Sequence, residues 1–130
     1  MSLAKEALKK MVRAAREACG NAYSPYSKIK VGAAVLTDTG EIFSGCNVEN
    51  ASLGLTICAE RNAVFQAITN GKRKLLAVVV FTPTKTPTLP CGACRQVLGE
   101  FGDDPEVICA CKGPEIIRRR MSSLLPEAYR

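Results

Sequence analysis

CAERNAVFQAITNG, residues 58–71, and KLLAVVVFT, residues 74–82, between them decide the fold. In the first stretch Ala59, Ala63, Val64, Ala67 and Ile68 recur at helical spacing, and Asn70 with Gly71 supplies a C-terminal cap. The second stretch is a continuous, largely β-branched apolar run, as in a strand covered on both faces. A helix running into such a strand predicts a sheet with helices packed on its faces.

The flanking sequence extends this pattern. Upstream, Leu3, Ala7, Leu8, Met11, Val12, Ala15 and Cys19 mark an amphipathic first helix that stops at Gly20. SPYS, residues 24–27, is a turn. KIKVGAAVLT, residues 28–37, and EIFSGCNVEN, residues 41–50, then flank DTG and read as an antiparallel pair. Downstream, Pro83 and Pro87 break the buried run into a loop ending at LPCGAC, after which GACRQVLGEF resumes a helical period. EVICACK, residues 106–112, reads as a short strand, and PEIIRRRM, residues 114–121, as a weaker last one. The order of elements predicts a mixed sheet in one domain spanning residues 1–130.

Composition narrows the function. Apolar residues at 47% and charged residues at 23% are ordinary for a soluble globular chain, and no apolar run approaches the ~18 to 20 residues of a membrane helix. MSLAKEALKKMVRAAREACG alternates charge with apolar residues and lacks a signal-peptide core, so the expected compartment is the cytoplasm. The leading MSL reads equally well as native sequence or as a cloning remnant. Seven cysteines, an odd number, argue for reduced thiols, either buried or bound to metal. Histidine is absent, which removes Ser-His and Cys-His nucleophiles and every imidazole ligand. Any metal must then rest on thiolate or carboxylate. The net charge of +6 is scattered apart from Arg118 to Arg120 and reads as a solvated basic face, with no nucleic-acid partner expected.

The chemistry-bearing residues are cysteines at helix starts. Cys91 and Cys94 form a Cys-x-x-Cys pair opening a helix, where free backbone N–H groups and the helix dipole stabilise negative sulfur. Thiol-redox proteins use the same spacing, so a third ligand is the discriminator. Cys58, preceding its own helix, offers one, and three thiolates would leave one position of a tetrahedral Zn²⁺ open to water, as in a catalytic site. Glu60, in the first turn after Cys58, could reach that water as a proton shuttle. Three thiolates give zinc a formal charge of −1, which opposes activation of water; the two helix N-termini, and Arg61 placed to donate hydrogen bonds to a cysteine sulfur, would offset it. Cys19, Cys46, Cys109 and Cys111 are read as structural, the last two facing one side of a strand as small hydrophobes.

With CAER and PCGACRQV placed, the sequence resembles the small, three-cysteine cytidine deaminases, a likeness that also covers AYSPYSKIKVGAAVL, GCNVEN and LLPEAY. It implies a three-layer α/β/α sandwich with a mixed, roughly five-stranded sheet. It also implies zinc on Cys58, Cys91 and Cys94, and Glu60 moving a proton from water to N3 of cytosine and then assisting loss of ammonia from C4. Cys58 stands where relatives acting on nucleic acid use His, which points to free nucleosides. Asn47 and Glu49 match the pair that binds the ribose 3′-hydroxyl, and Tyr129 matches an aromatic supplied by a neighbouring subunit of a homotetramer.

Two positions depart from the family pattern: Ile29 stands where relatives commonly carry Phe, and Leu53 where they carry Tyr. Both bear on substrate preference near the base or the subunit junction. The expected activity is deamination of cytidine and deoxycytidine in pyrimidine salvage. Its rivals are a deaminase of a modified aminopyrimidine nucleoside such as a blasticidin S-like compound, a non-catalytic zinc-binding module, and a Cys91/Cys94 thiol-redox protein.

Overall fold

The computed structural model describes residues 3–130; Met1 and Ser2, and with them the question raised by MSL, lie outside the described residues. The elements run α1 (Lys5–Cys19), β1 (Gly32–Thr37), β2 (Ile42–Cys46), α2 (Ala59–Thr69), β3 (Leu75–Phe81), α3 (Gly92–Glu100), β4 (Glu106–Ala110), β5 (Ile117–Arg120) and the one-turn α4 (Met121–Leu124). The strands form one sheet in the order β2-β1-β3-β4-β5. β3 and β4, joined through α3, are parallel, and the other neighbours are antiparallel.

Strand periodicity sorts the core into two layers. Ala33, Val35, Val78, Val80, Val107 and Cys109 cluster with Ala63 and Val64 of α2 and Leu98 of α3. Their strand neighbours Ala34, Leu36, Ala77, Val79 and Ile108 cluster with Met11, Ala15 and Cys19 of α1. The sheet is therefore covered on both faces, which is why residues 75–81 read as an unbroken apolar run, and the molecule is the expected three-layer α/β/α sandwich.

Two glycines set how closely the helices lie. A Cβ on Gly32 would meet the carbonyl oxygen of Ala15 at 1.9 Å, and one on Gly45 would meet the amide nitrogen of Ala63 at 2.5 Å. Any side chain at either site would lift a helix off the sheet. At the end of α2, Gly71 adopts φ 81°, the left-handed turn that the Asn70-Gly71 pair implied.

Three expectations need correction. The hairpin strands are shorter than 28–37 and 41–50, because Asn47 turns its side chain onto the neighbouring backbone: Val31 N–H donates to Oδ1 and Nδ2 donates to the Ile29 carbonyl, each at 2.8 Å. PEIIRRRM is strand only as far as Arg120, after which the buried Met121 opens α4 and the Ser122 amide and hydroxyl donate to Asp104 at 2.9 and 3.1 Å. Cys109 is a core hydrophobe, but Cys111 lies beyond the strand, its thiol set among the carbonyl oxygens of Lys85, Gly113 and Glu115 at 3.4, 3.6 and 3.5 Å.

Candidate active site

Cys58 and Cys91 are the N-caps of α2 and α3, both in extended backbone, and Cys94 sits in the first turn of α3. Each helix thus presents its unpaired N–H groups and positive dipole end to sulfur. The three Sγ atoms lie within 4.8 Å of one another, with Cys58 to Cys91 at 3.9 Å and Cys91 to Cys94 at 3.4 Å. Thiolates around one zinc, with ~2.3 Å bonds at tetrahedral angles, stand roughly 3.8 Å apart, so the donor set fits that ion. Cys94 is buried, Cys58 is half-buried and Cys91 is exposed, which leaves the triad approachable from the side of Cys91.

The thiols are electrostatically unequal. The neighbouring Cys94 thiol, then Arg61 and Cys91, lower the Cys58 thiol to about 5 against the cost of burial. Its proximity to Cys58, followed by burial, drives Cys94 upward. Arg61 donates from Nη2 to Cys58 Sγ at 3.4 Å, while its buried Nε–H has no hydrogen-bond partner among the described residues. A cation with a donor to spare beside the sulfurs suits a site that concentrates negative charge.

Glu60 follows Cys58 by two residues and is only 4% exposed. Burial pushes its carboxyl up to about 7. A carboxyl in that range both gives and takes a proton at neutral pH, which is what general acid–base work requires.

A cleft of about 270 Å³ opens over this group and reaches Cys58, Glu60, Cys91, Asn47, Glu49 and Ile29. The NVEN segment is brought to it by single bridges of Val48 to Tyr23 and to Ile57, the residue before Cys58. Asn47 and Glu49 both border the cleft, but neither is a free polar group. Glu49 accepts from the amides of Tyr26 and Ser27 at 3.0 and 3.1 Å and from the Ser27 hydroxyl, and these bonds, the hydroxyl first, hold its carboxyl below the usual range. Together they pin the 26–31 segment, in which Lys28 takes the left-handed φ of 66°.

The remaining two expected residues lie elsewhere. Leu53, in a 3₁₀ turn, is 72% exposed, and Tyr129 is 85% exposed; neither lines the cleft of its own chain. Sequence reasoning missed Thr82, Thr88 and Leu89, which border the cleft from the loop after β3. The prolines marked that loop, and its course toward LPCGAC was the available signal. A larger cleft of about 440 Å³ lies around the opening residues of β3 and β4, lined by Leu75 and Glu106 among others, and contains none of the three thiols.

A mixed sheet that gathers three thiols at two helix starts, with a buried acid two residues from one of them, has the donor set of a zinc site with an acid–base group beside it. Comparison with known proteins makes this specific. The pattern of the cytidine and deoxycytidylate deaminase zinc-binding region matches residues 5–111. The chain is 43% identical over 124 residues to the cytidine deaminase of Sporosarcina psychrophila, covering 94% of this chain and 90% of that one. It is 44% identical over 120 residues to the cytidine deaminase of Halalkalibacterium halodurans, covering 92% and 91%. The crystal structure of cytidine deaminase from Burkholderia pseudomallei superposes with a TM-score of 0.88 at 44% identity, covering 93% of this chain and 98% of that one. This chain belongs to the cytidine and deoxycytidylate deaminase family.

Proposed function

We propose that this protein hydrolyses cytidine and deoxycytidine to uridine and deoxyuridine, releasing ammonia, with zinc held by Cys58, Cys91 and Cys94. The observation that carries the reading is the buried Glu60 carboxyl beside a three-thiol cluster, of which Cys58 and Cys91 line the same nucleoside-sized cleft as Glu60. When bound, zinc supplies a Lewis acid that makes a nucleophile of water at neutral pH. Glu60 takes the proton released from water, places it on N3 of the cytosine, and assists proton delivery to the amino group leaving C4. Water oxygen replaces nitrogen at C4, so ammonia and the uracil ring balance the reaction.

Asn47 and Glu49 carry two duties. They pin the 26–31 segment, and their remaining valences, the second Nδ2 proton and the ionised carboxylate, suit the sugar hydroxyls. Arg61 offsets the sulfur charge. Ile29 lies at the cleft against the base. Leu53 and Tyr129, exposed outside their own cleft, act from neighbouring copies in a homotetramer. Seven free cysteines fit the reducing cytoplasm, where the enzyme would return free nucleosides to the uridine pool in pyrimidine salvage.

The aliphatic Ile29 also favours a second reading, a modified aminopyrimidine nucleoside with a bulkier base. A panel of aminopyrimidine nucleosides followed by ultraviolet absorbance and ammonia release separates the two. Cytidine and deoxycytidine are expected to lead it; turnover of a blasticidin S-like compound without turnover of cytidine would overturn the first reading.

A further inference from the structure

Cys91 is the most exposed of the three thiols. Cys94 is buried inside the first turn of α3 and Cys58 is half-buried, but Cys91 is exposed and is reached through the irregular segment 82–90. Residues 82–90 contain no helix or strand; backbone bonds of Thr82 to Ala110 and of Lys112 to Thr84 tie their first part to the end of β4, and Pro90 is buried.

Arg95, the residue after Cys94, grips that approach. Its amide donates to the Cys91 carbonyl at 3.0 Å, the ordinary helical bond. Its side chain does something a helix does not require: Nε donates to the carbonyl of Pro90, the residue before Cys91, at 2.8 Å, and Nη1 donates to the carbonyl of Leu124, the last residue of α4, at 3.0 Å. Leu124 and Leu125 pack against the cluster formed by α2, α3 and the sheet, so the second carbonyl is anchored by apolar burial. The planar fork spans two acceptors, one on the ligand loop and one on the C-terminal turn. Gln96, next along, donates from Nε2 to the Tyr129 carbonyl at 3.0 Å, a bond to the tail and not to the segment entering Cys91.

We propose that Arg95 is a positioning residue for Cys91: by bridging the Pro90 carbonyl to α4 it fixes the peptide plane entering Cys91, aims that thiol at the metal and slows zinc loss. The inference rests on the zinc reading above and adds a residue that touches neither metal nor substrate. A lysine reaches one carbonyl and cannot reproduce the fork, so Arg95→Lys falls between wild type and Arg95→Ala.

The test uses the zinc-loaded full chain. Release of zinc to an excess of a chelating indicator is timed, and alkylation of Cys58, Cys91 and Cys94 by iodoacetamide is followed residue by residue by mass spectrometry. Arg95→Ala is expected to speed zinc release about 10- to 100-fold. Arg95→Lys is expected to speed it less, and in both variants Cys91 alkylation should rise well ahead of Cys58 and Cys94. Gln96→Ala should leave release within about twofold of wild type. Release unchanged in both Arg95 variants overturns the proposal. So does equal acceleration in Gln96→Ala, or a uniform rise in alkylation of all three thiols, since general loosening of the fold would then suffice. If Arg95→Ala does not fold, Arg95→Lys alone decides between these results. A wild-type chain that takes up no zinc would defeat the metal reading separately, and the selectivity of Cys91 alkylation would still decide the part of Arg95.

Discussion

Gly45 of β2 lies so close under Ala63 of α2 that a methyl group on Gly45 would stand 2.5 Å from the Ala63 amide nitrogen. The atoms it would meet are backbone, including the Ala59 carbonyl oxygen at 2.9 Å, so no side chain can swing aside. Cys58 and Glu60 ride on the first turn of that helix. Gly45→Ala is therefore expected to cost about 1 to 3 kcal/mol in overpacking and to lower kcat of the folded protein by displacing both residues. Urea unfolding and steady-state kinetics check this; an unchanged midpoint with unchanged kcat would contradict it.

Arg61 supplies the only guanidinium hydrogen bond found to a thiol of the triad among the described residues. Arg61→Ala should weaken zinc affinity ~10- to 100-fold, the size typical of losing a group that orients a ligand. Arg61→Lys should be milder, since a compact ammonium keeps the charge and loses the planar donors. Competition with a zinc chelator measures both, and wild-type affinity in the alanine variant would remove Arg61 from the account.

Ile29 borders the cleft of its own chain, whereas Leu53 and Tyr129 do not. Ile29→Phe should thus lower KM for cytidine by itself, with kcat within a small factor, because stacking on the base is similar in ground and transition states. Leu53→Tyr and Tyr129→Ala should alter KM only where copies associate. Kinetics run across a dilution series, with the assembly state followed by sedimentation, separates these cases. A KM effect of Tyr129→Ala in a dissociated monomer would contradict the assignment.

Glu41 gives the fold a defined acid response. Hydrogen bonds from Thr39, then Thr37 and Lys72, lower its carboxyl from 4.5 to about 2. Because the folded value lies below the unfolded one, the stabilisation is present above about pH 4.5 and is lost as pH falls through about 2. Glu41→Gln should be less stable than wild type at neutral pH, and the gap should close toward pH 2. Urea midpoints at a series of pH values test this; a gap independent of pH would contradict it.

The layers of the fold were legible because they rest on local pattern. The periodicity of residues 59–68, the apolar run of β3 and the Cys91-x-x-Cys94 spacing are short-range signals, and the two elements fell where they placed them; Cys58, 33 residues before Cys91, was joined to that pair by its own helix start and by resemblance. What escaped detection depends on contacts between distant residues. Asp104 meets Ser122 from 18 positions away and turns the end of a strand into α4. Asn47 ends the hairpin by bonding to residues 29 and 31, and Arg95 reaches Leu124 across 29 positions. None of these side chains differs in type from a solvated one, so only the folded chain reveals its partner. The polar pair Asn47 and Glu49 was located by resemblance, yet its internal bonds to the 26–31 segment had no counterpart in the pattern.

The account stands most directly on Glu60, and the decisive measurement is the turnover of cytidine by zinc-loaded Glu60→Gln beside wild type, with zinc content determined on the same samples. Glutamine preserves the size and a hydrogen-bonding group while removing the proton carrier. The expected result is one zinc per chain in both proteins, stoichiometric ammonia and uridine from wild type, and a kcat lower by roughly 10²- to 10⁴-fold in the variant. A variant that retains zinc and deaminates cytidine at the wild-type rate would contradict the account.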